Sequence, residues 1–134
     1  MQKITTCLMF VGEQHGKAEE AMNLYISLFK DSQILNITHY GAGEPGVEGT
    51  VQMALFSLNG QTFMAMDSNR AHDFTFTPAL SLFVQCETEE EIDHVFGELA
   101  DGGELKMPLD NYGFSKKFGW VSDRYGVSWQ LNLS

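Results

Sequence analysis

Positive charge is scarce in this chain. Eight Lys and Arg residues stand against 18 Asp and Glu, leaving a net charge of -10. Such a surface repels phosphate backbones and anionic bilayers, so neither nucleic acid nor a membrane is expected as a partner. Long hydrophobic runs are also missing: none approaches the ~20 residues a membrane helix needs. The opening Met1-Gln2-Lys3-Ile4 runs straight into apolar alternation without signal-peptide architecture, so the expected compartment is the cytoplasm. Cysteine is limited to Cys7 and Cys86, each inside a predicted strand. Neither has the C-x-x-C spacing of a redox or zinc motif, and both read as buried structural thiols. At 134 residues the chain buries roughly two-thirds of its unfolded surface and needs no disulfide or structural metal.

The residues that are present fall into a repeat. Thr5–Val11 is an apolar, β-favouring run, followed from Lys17 by helix periodicity with Ala21, Leu24, Tyr25, Leu28 and Phe29 on one face. Strands are predicted at Gln33–Tyr40, Thr50–Leu58 and Gln61–Met66. A glycine-rich loop, Gly41–Gly49, lies between the first two, and an Asn59-Gly60 hairpin turn lies between the last two. The order then recurs. Ala79–Cys86 is a strand, and Thr88-Glu89-Glu90-Glu91 is a capping box. The helix it opens buries Ile92, Val95, Phe96 and Leu99 and ends at Gly102-Gly103. Strands follow at Glu104–Leu109, Lys116–Ser122 and Val127–Leu133, the last two joined by Asp123–Gly126. Phe10-Val11 matches Phe83-Val84, Glu19-Glu20-Ala21-Met22 matches Glu89-Glu90-Glu91-Ile92, and Asn59-Gly60 matches Tyr125-Gly126. The expectation is a single α+β domain of two tandem β-α-β-β-β modules, about 1–67 and about 78–134, joined by Asp67–Pro78.

One helix per module covers one face of a sheet, and strand alternation identifies that face. Leu80, Leu82, Val84 and Cys86 suit the helix side, as do Val127, Trp129, Leu131 and Leu133. Ala79, Ser81, Phe83 and Gln85 face the other way, with Ser128, Gln130 and Asn132. A mixed polar and aromatic face inside a curved sheet is the chemistry of a ligand cavity.

Other clusters compete for attention. Asp67, Arg70, His72 and Asp73 crowd the linker, where carboxylates and an imidazole could bind metal or move protons, although a polar linker needs no such role. His39 closes a strand beside the glycine-rich loop, which itself has the composition of a mobile lid. Asn111–Trp120 gathers four aromatics with Lys116 and Lys117, a shelf able to stack and charge-pair a planar or anionic ligand, or simply a well-packed hairpin with snorkelling lysines.

The duplicated order resembles the vicinal oxygen chelate superfamily, which includes glyoxalase I, extradiol dioxygenases and the fosfomycin and bleomycin resistance proteins. The segments that carry a closer likeness are Glu19-Glu20-Ala21 with Tyr25 and Phe29, Glu48–Val51, Asn59–Ala65 and, above all, Phe118–Leu131. They resemble the PhnB-like branch, also called 3-demethylubiquinone-9 3-methyltransferase-like. The resemblance implies a curved mixed sheet around a cavity and a homodimer. It also implies a divalent metal held by one residue on the first and fourth strands of each module. Those positions here read Thr6, Met64, Ala79 and Gln130. Hard divalent ions take carboxylates or imidazoles, so no metal and no cofactor is expected. A methyl donor is not expected either, because Gly12–Lys17 lacks the glycine fingerprint of a doubly wound sheet.

The function expected is binding of a small organic molecule without the superfamily's usual metal. Thr6, Phe10, Met64, Asp67, Phe83, Trp120 and Gln130 are the candidate ligand-binding residues, and no catalytic residue is assigned. The alternatives are a lyase, isomerase or dioxygenase with a non-standard metal site at Asp67, His72 or His39, and a protein-interaction module.

Overall fold

Two β-branched and aromatic-rich sheets, each backed by one amphipathic helix, make up the computed structural model, which describes residues 2–134. The chain divides into two compact units, 1–75 and 76–134.

In the first unit, β1 (Thr6–Phe10) leads through a short 3₁₀ turn at Gly12–Gln14 into α1 (Ala18–Leu28). Then come β2 (Gln33–His39), β3 (Val51–Leu58) and β4 (Gln61–Asp67). The sheet order is β1-β4-β3-β2. β1 runs parallel to β4, with Thr6 opposite Phe63 and Phe10 opposite Asp67, and the other pairs are antiparallel. Asn59 and Gly60 both take positive φ, 50° and 85°, as the predicted type I′ turn requires. Leu8, Phe10, Ala54, Phe56, Phe63 and Ala65 point to α1 and are buried. Phe56 and Phe63, opposite each other across β3 and β4, stack with centroids 5.5 Å apart. Each such ring contributes about 1.5–3 kcal/mol by leaving water. The helix side of α1 is Ala18, Ala21, Met22 and Tyr25. The predicted stripe included Leu24 and Leu28 and passed over Met22; in the structure Leu24 and Leu28 are only half-buried.

The second unit repeats the order with β5 (Ser81–Cys86), α2 (Glu89–Ala100), β6 (Glu104–Asp110), β7 (Lys117–Ser122) and β8 (Ser128–Leu133). Its sheet runs β5-β8-β7-β6, again with only the first pair parallel. The Thr88 hydroxyl accepts the Glu91 N–H at 3.1 Å, and the Glu91 carboxylate reaches back one residue further than a simple capping box, to the Glu87 N–H at 2.7 Å. Ile92, Val95, Phe96 and Leu99 are buried as the periodicity requires. The helix stops where Gly102 turns to a φ of 74°, and the Gly103 N–H bonds the Ala100 carbonyl. At Gly119 the Phe96 ring fills the space a side chain would take, drawing α2 onto β7.

Cys86 ends β5 on the helix side and is buried. Burial, followed by the nearby Glu91 carboxylate, pushes its thiol from 9.0 up to about 12. Above the ordinary thiol pKa the unfolded chain releases this proton while the folded chain keeps it. Stability therefore declines as pH climbs from 9.0 towards about 12. Urea melts of the wild type and Cys86→Ala across that window should show the wild-type advantage shrinking with pH. A difference that does not change with pH would contradict this placement of the thiol.

Candidate functional site

Because each helix covers one sheet face, the strands of each unit leave the opposite face open. On the first unit the pairing places Cys7 beside Met64 and Leu55, and Met9 beside Met66. Met66 in turn stands next to Met53, one residue beyond the paired Ala54 and Ala65. Five sulfur-bearing side chains therefore share three adjacent strands. Cys7 and Met53 are exposed, and Met9, Met64 and Met66 are half-buried. Thr62 and Ser57 complete the face.

On the second unit the open face is polar and aromatic. Ser81 Oγ and Ser128 Oγ lie 2.7 Å apart, the Trp120 indole N–H donates to Ser128 Oγ at 2.8 Å, and the Gln130 amide donates to Ser81 Oγ at 3.4 Å. Along the same face the Asn132 amide donates to the Gln85 carbonyl at 3.0 Å. Phe83 stands beside Gln130 and is 59% exposed. Phe118 faces the same way and is roofed by Tyr112 and Phe114, whose rings meet it edge-on at 6.3 and 5.1 Å. Among the described residues, the open faces of β1, β4, β3, β5, β8 and β7 carry no Asp, Glu, Lys, Arg or His. Charge appears on the outer strand β6, where Glu104 pairs Lys106 at 2.7 Å.

Four of the seven candidate residues occupy these faces: Met64 on the first unit, and Phe83, Trp120 and Gln130 on the second. The other three do not. Thr6 shares the orientation of Leu8 and Phe10 at the exposed start of β1. Phe10 is fully buried against α1. Asp67 is 3% exposed, and its carboxylate is occupied: Oδ1 accepts the N–H groups of Gly16 and Ala18 at 2.8 and 3.2 Å, and Oδ2 that of Val51 at 2.9 Å. The side expected of Phe10 and Asp67 is thus corrected, because both alternate in phase with the core residues Leu8, Phe63 and Ala65. Cys7, Met9, Met53, Met66, Ser81 and Ser128 were missed as candidates. β1 is too uniformly apolar to reveal its faces, but the parity of Met64 already pointed to Met66.

The remaining clusters have local partners. His39 Nε2 lies 2.7 Å from Glu19 Oε1 on α1, and His72 Nε2 lies 3.0 Å from Ser68 Oγ. Lys117 is held by Asp93 of α2 at 2.7 Å, on the helix side, which takes it off the expected aromatic shelf. The Gly41–Gly49 loop is tied down: Tyr40 exchanges backbone bonds with Thr50 and Gly49, and its ring packs on Gly46. Its composition suggested a lid; these contacts give it the form of a pinned connection.

Comparison with known proteins places this architecture. The family model for 3-demethylubiquinone-9 3-methyltransferase matches residues 2–132. The chain belongs to that family. It is the PhnB-like branch of the glyoxalase/bleomycin resistance superfamily. A PhnB protein from Bacillus cereus is 62% identical, with a TM-score of 0.94 over 99% of this chain and 100% of that one. Protein PA1353 from Pseudomonas aeruginosa shares the fold at 24% identity, with a TM-score of 0.84 over 100% of this chain and 98% of that one. So does the fosfomycin resistance protein FosX from Listeria monocytogenes, at 12% identity and a TM-score of 0.61 over 100% of this chain and 95% of that one. No protein of curated function matches.

Two groups that the family's names imply can be tested against its residues here. For the superfamily's divalent metal, the first and fourth strands of each PhnB-like module would supply the ligands. On their open faces these strands offer Cys7, Met9, Met64 and Met66 in one unit and Ser81, Phe83, Ser128 and Gln130 in the other. Thioethers are soft, and hydroxyls and amides are weak neutral donors, so this set does not fit a hard divalent ion. Among the described residues no group of three or more His, Cys, Asp or Glu side chains is placed to hold a metal. For a methyl donor, the usual cradle is a glycine-rich turn in a parallel doubly wound sheet. Each sheet here has one parallel pair, and the turn into α1 is anchored by Asp67 rather than open to a phosphate or carboxylate.

Proposed function

We propose that this PhnB-like chain binds a small organic molecule and does so without the superfamily's divalent metal. The observation that carries the reading is the hydrogen-bonded open face of the second unit. There Trp120, Ser128, Ser81 and Gln130 form a connected polar network beside the exposed Phe83. A few fixed polar groups among aromatic surfaces orient and select a ligand, whereas a purely packing surface has no need of them. The fold family supports small-molecule binding at this coarse level. The protein is proposed to act in the cytoplasm as a homodimer, with neither nucleic acid nor membrane as partner. Its net charge of -10 supports that exclusion, and among the described residues no helix is long and apolar enough to cross a membrane.

The metal-enzyme alternative loses support because Asp67, His72 and His39 are each engaged locally. Metal analysis of the purified protein, joined to thermal shifts with chelator and with added Mg²⁺, Mn²⁺, Ni²⁺ or Zn²⁺, tests the proposal. The expected result is no stoichiometric metal and an unchanged Tm in chelator. A bound ligand at a hundredfold its Kd should in contrast add about 2.7 kcal/mol. Stoichiometric metal whose removal lowers Tm would sink the reading.

A further inference from the structure

The hydrogen bonds that join Trp120, Ser128, Ser81 and Gln130 on the second unit have a direction, which follows from counting hydrogens along them. An indole can only donate, and Trp120 donates to Ser128 Oγ at 2.8 Å. Ser128 is 1% exposed, and its hydroxyl has one other partner among the described residues, Ser81 Oγ at 2.7 Å. A buried hydroxyl hydrogen without an acceptor costs the desolvation of that group, so Ser128 is the donor of this pair and Ser81 the acceptor. Ser81 then carries a hydrogen of its own that no described residue takes at normal hydrogen-bond length. Its contact with the Gln130 amide, at 3.4 Å, is too long to occupy that hydrogen whichever way the amide is turned. Each donor in such a chain polarises the next, which makes the last hydroxyl a stronger donor than an isolated serine.

That hydrogen is open to a ligand. Ser81 is half-buried and lies two residues along β5 from Phe83, which is 59% exposed. Alternation puts both side chains on the open face, about 7 Å apart. The charged groups on this side of the sheet stand further off. The row through Ser81 crosses Ser128 and Ser122 before it reaches Glu104, three strands away at about 14 Å. Asp110 pairs Phe118, and Lys116 precedes β7 in the phase of Phe118, both towards the opposite end of the strands. Hydrogen bonding, rather than charge, therefore distinguishes what sits at Ser81.

We propose that Ser81 anchors the ligand of this face by donating to a carbonyl oxygen, with a flat apolar body laid over Phe83. This rests on the small-molecule reading above and deepens it: the ligand class is a ketone, ester or amide on an aromatic or similarly flat frame. A group that only donates would meet the Ser81 hydrogen head-on.

Two probes of one shape test it, 2-acetonaphthone and 2-isopropenylnaphthalene, which differ in having C=O or C=CH₂ at the same place. Two indole N–H resonances report on opposite sides of the sheet, because Trp120 lies on the open face while the Trp129 indole bonds Asp123 on the helix side. The ketone should shift Trp120, leave Trp129 in place and bind about fivefold more tightly than the alkene, as one net hydrogen bond provides. Its carbonyl stretch should move to lower frequency on binding. Ser81→Ala should bring the two affinities together and abolish the infrared shift, and Ser81→Thr, which keeps the hydroxyl, should retain both. If Ser81→Ala fails to fold, the infrared shift in the wild type and in Ser81→Thr still decides. Equal binding of ketone and alkene at Trp120, or a preference that survives Ser81→Ala, would overturn the anchor and leave the small-molecule reading standing. If neither probe moves Trp120, both fall.

Discussion

Gly103→Ala should cost about 3 kcal/mol, at the upper end of what overpacking does, and lower Tm by on the order of 10 °C. The backbone at Gly103 lies outside the left-handed region, so the objection to alanine is purely steric. An added Cβ would stand 2.2 Å from the Ser122 carbonyl oxygen and 3.0 Å from the Asp123 Cα. Both are backbone atoms of the β7–β8 hairpin and cannot rotate away as a side chain could. Relief requires β6 to move off β7 at Glu104, which pairs Ser122, or the turn to shift at Asp123. The turn is itself fixed, because Asp123 Oδ1 accepts the Tyr125 and Val127 N–H groups at 2.9 and 3.0 Å and Oδ2 accepts the Trp129 indole at 2.9 Å. Gly97→Ala is the matched control. Gly97 sits exposed inside α2 with open space where its Cβ would go, so alanine there should stabilise by about 0.5–1 kcal/mol through the unfolded chain. Urea and thermal melts of the two variants check both signs. A Gly103→Ala protein as stable as the wild type would mean that the close approach of β6 to the turn is not real.

The order of elements was legible because local chemistry declares it. Thr88 with Glu91, Asn59-Gly60 and Gly102 each need only neighbours in sequence to make their bonds or turns, and each appears where expected. Faces were legible only where polar and apolar residues alternate. In β8, Ser128, Gln130 and Asn132 separate cleanly from Trp129, Leu131 and Leu133, and the structure keeps them apart. In β1, Thr6–Phe10 offers no such contrast. Matching Phe10 with Phe83 across the repeat therefore put on one face two rings that the structure sends to opposite faces, one fully buried and one 59% exposed. A one-residue slip in register inverts every side chain of a strand, and similarity of residue type cannot detect it. The sulfur row was hidden for a related reason. Met9, Met53 and Met66 come from three strands and meet only through the register of β1 on β4 and β4 on β3.

Asp67 shows how a residue whose chemistry resembles a site can be a fastener. α1 begins after Lys17, whose side chain makes no cap, so the first N–H groups of the helix need an acceptor from elsewhere. The Asp67 carboxylate supplies it from the end of β4, bonding Gly16 and Ala18 while its other oxygen takes the Val51 N–H of β3. Its charge also meets the positive end of the helix dipole. One side chain thus joins β4, β3 and the start of α1. Asp67→Asn keeps the shape but turns one oxygen into a donor, which must face an N–H group that it repels. Hydrogen bonds to a charged acceptor are worth about 1.5–3 kcal/mol each, and a buried N–H left unpaired adds its own penalty. A loss of about 3 kcal/mol is the expected result, with faster hydrogen exchange at Ala18 and Val51 before the rest of the sheet. Met64, whose side chain lies on the opposite face, should keep its methyl resonance at low temperature, where the variant remains folded. If Asp67→Asn instead left stability intact, the role of this carboxylate as a fastener would fall.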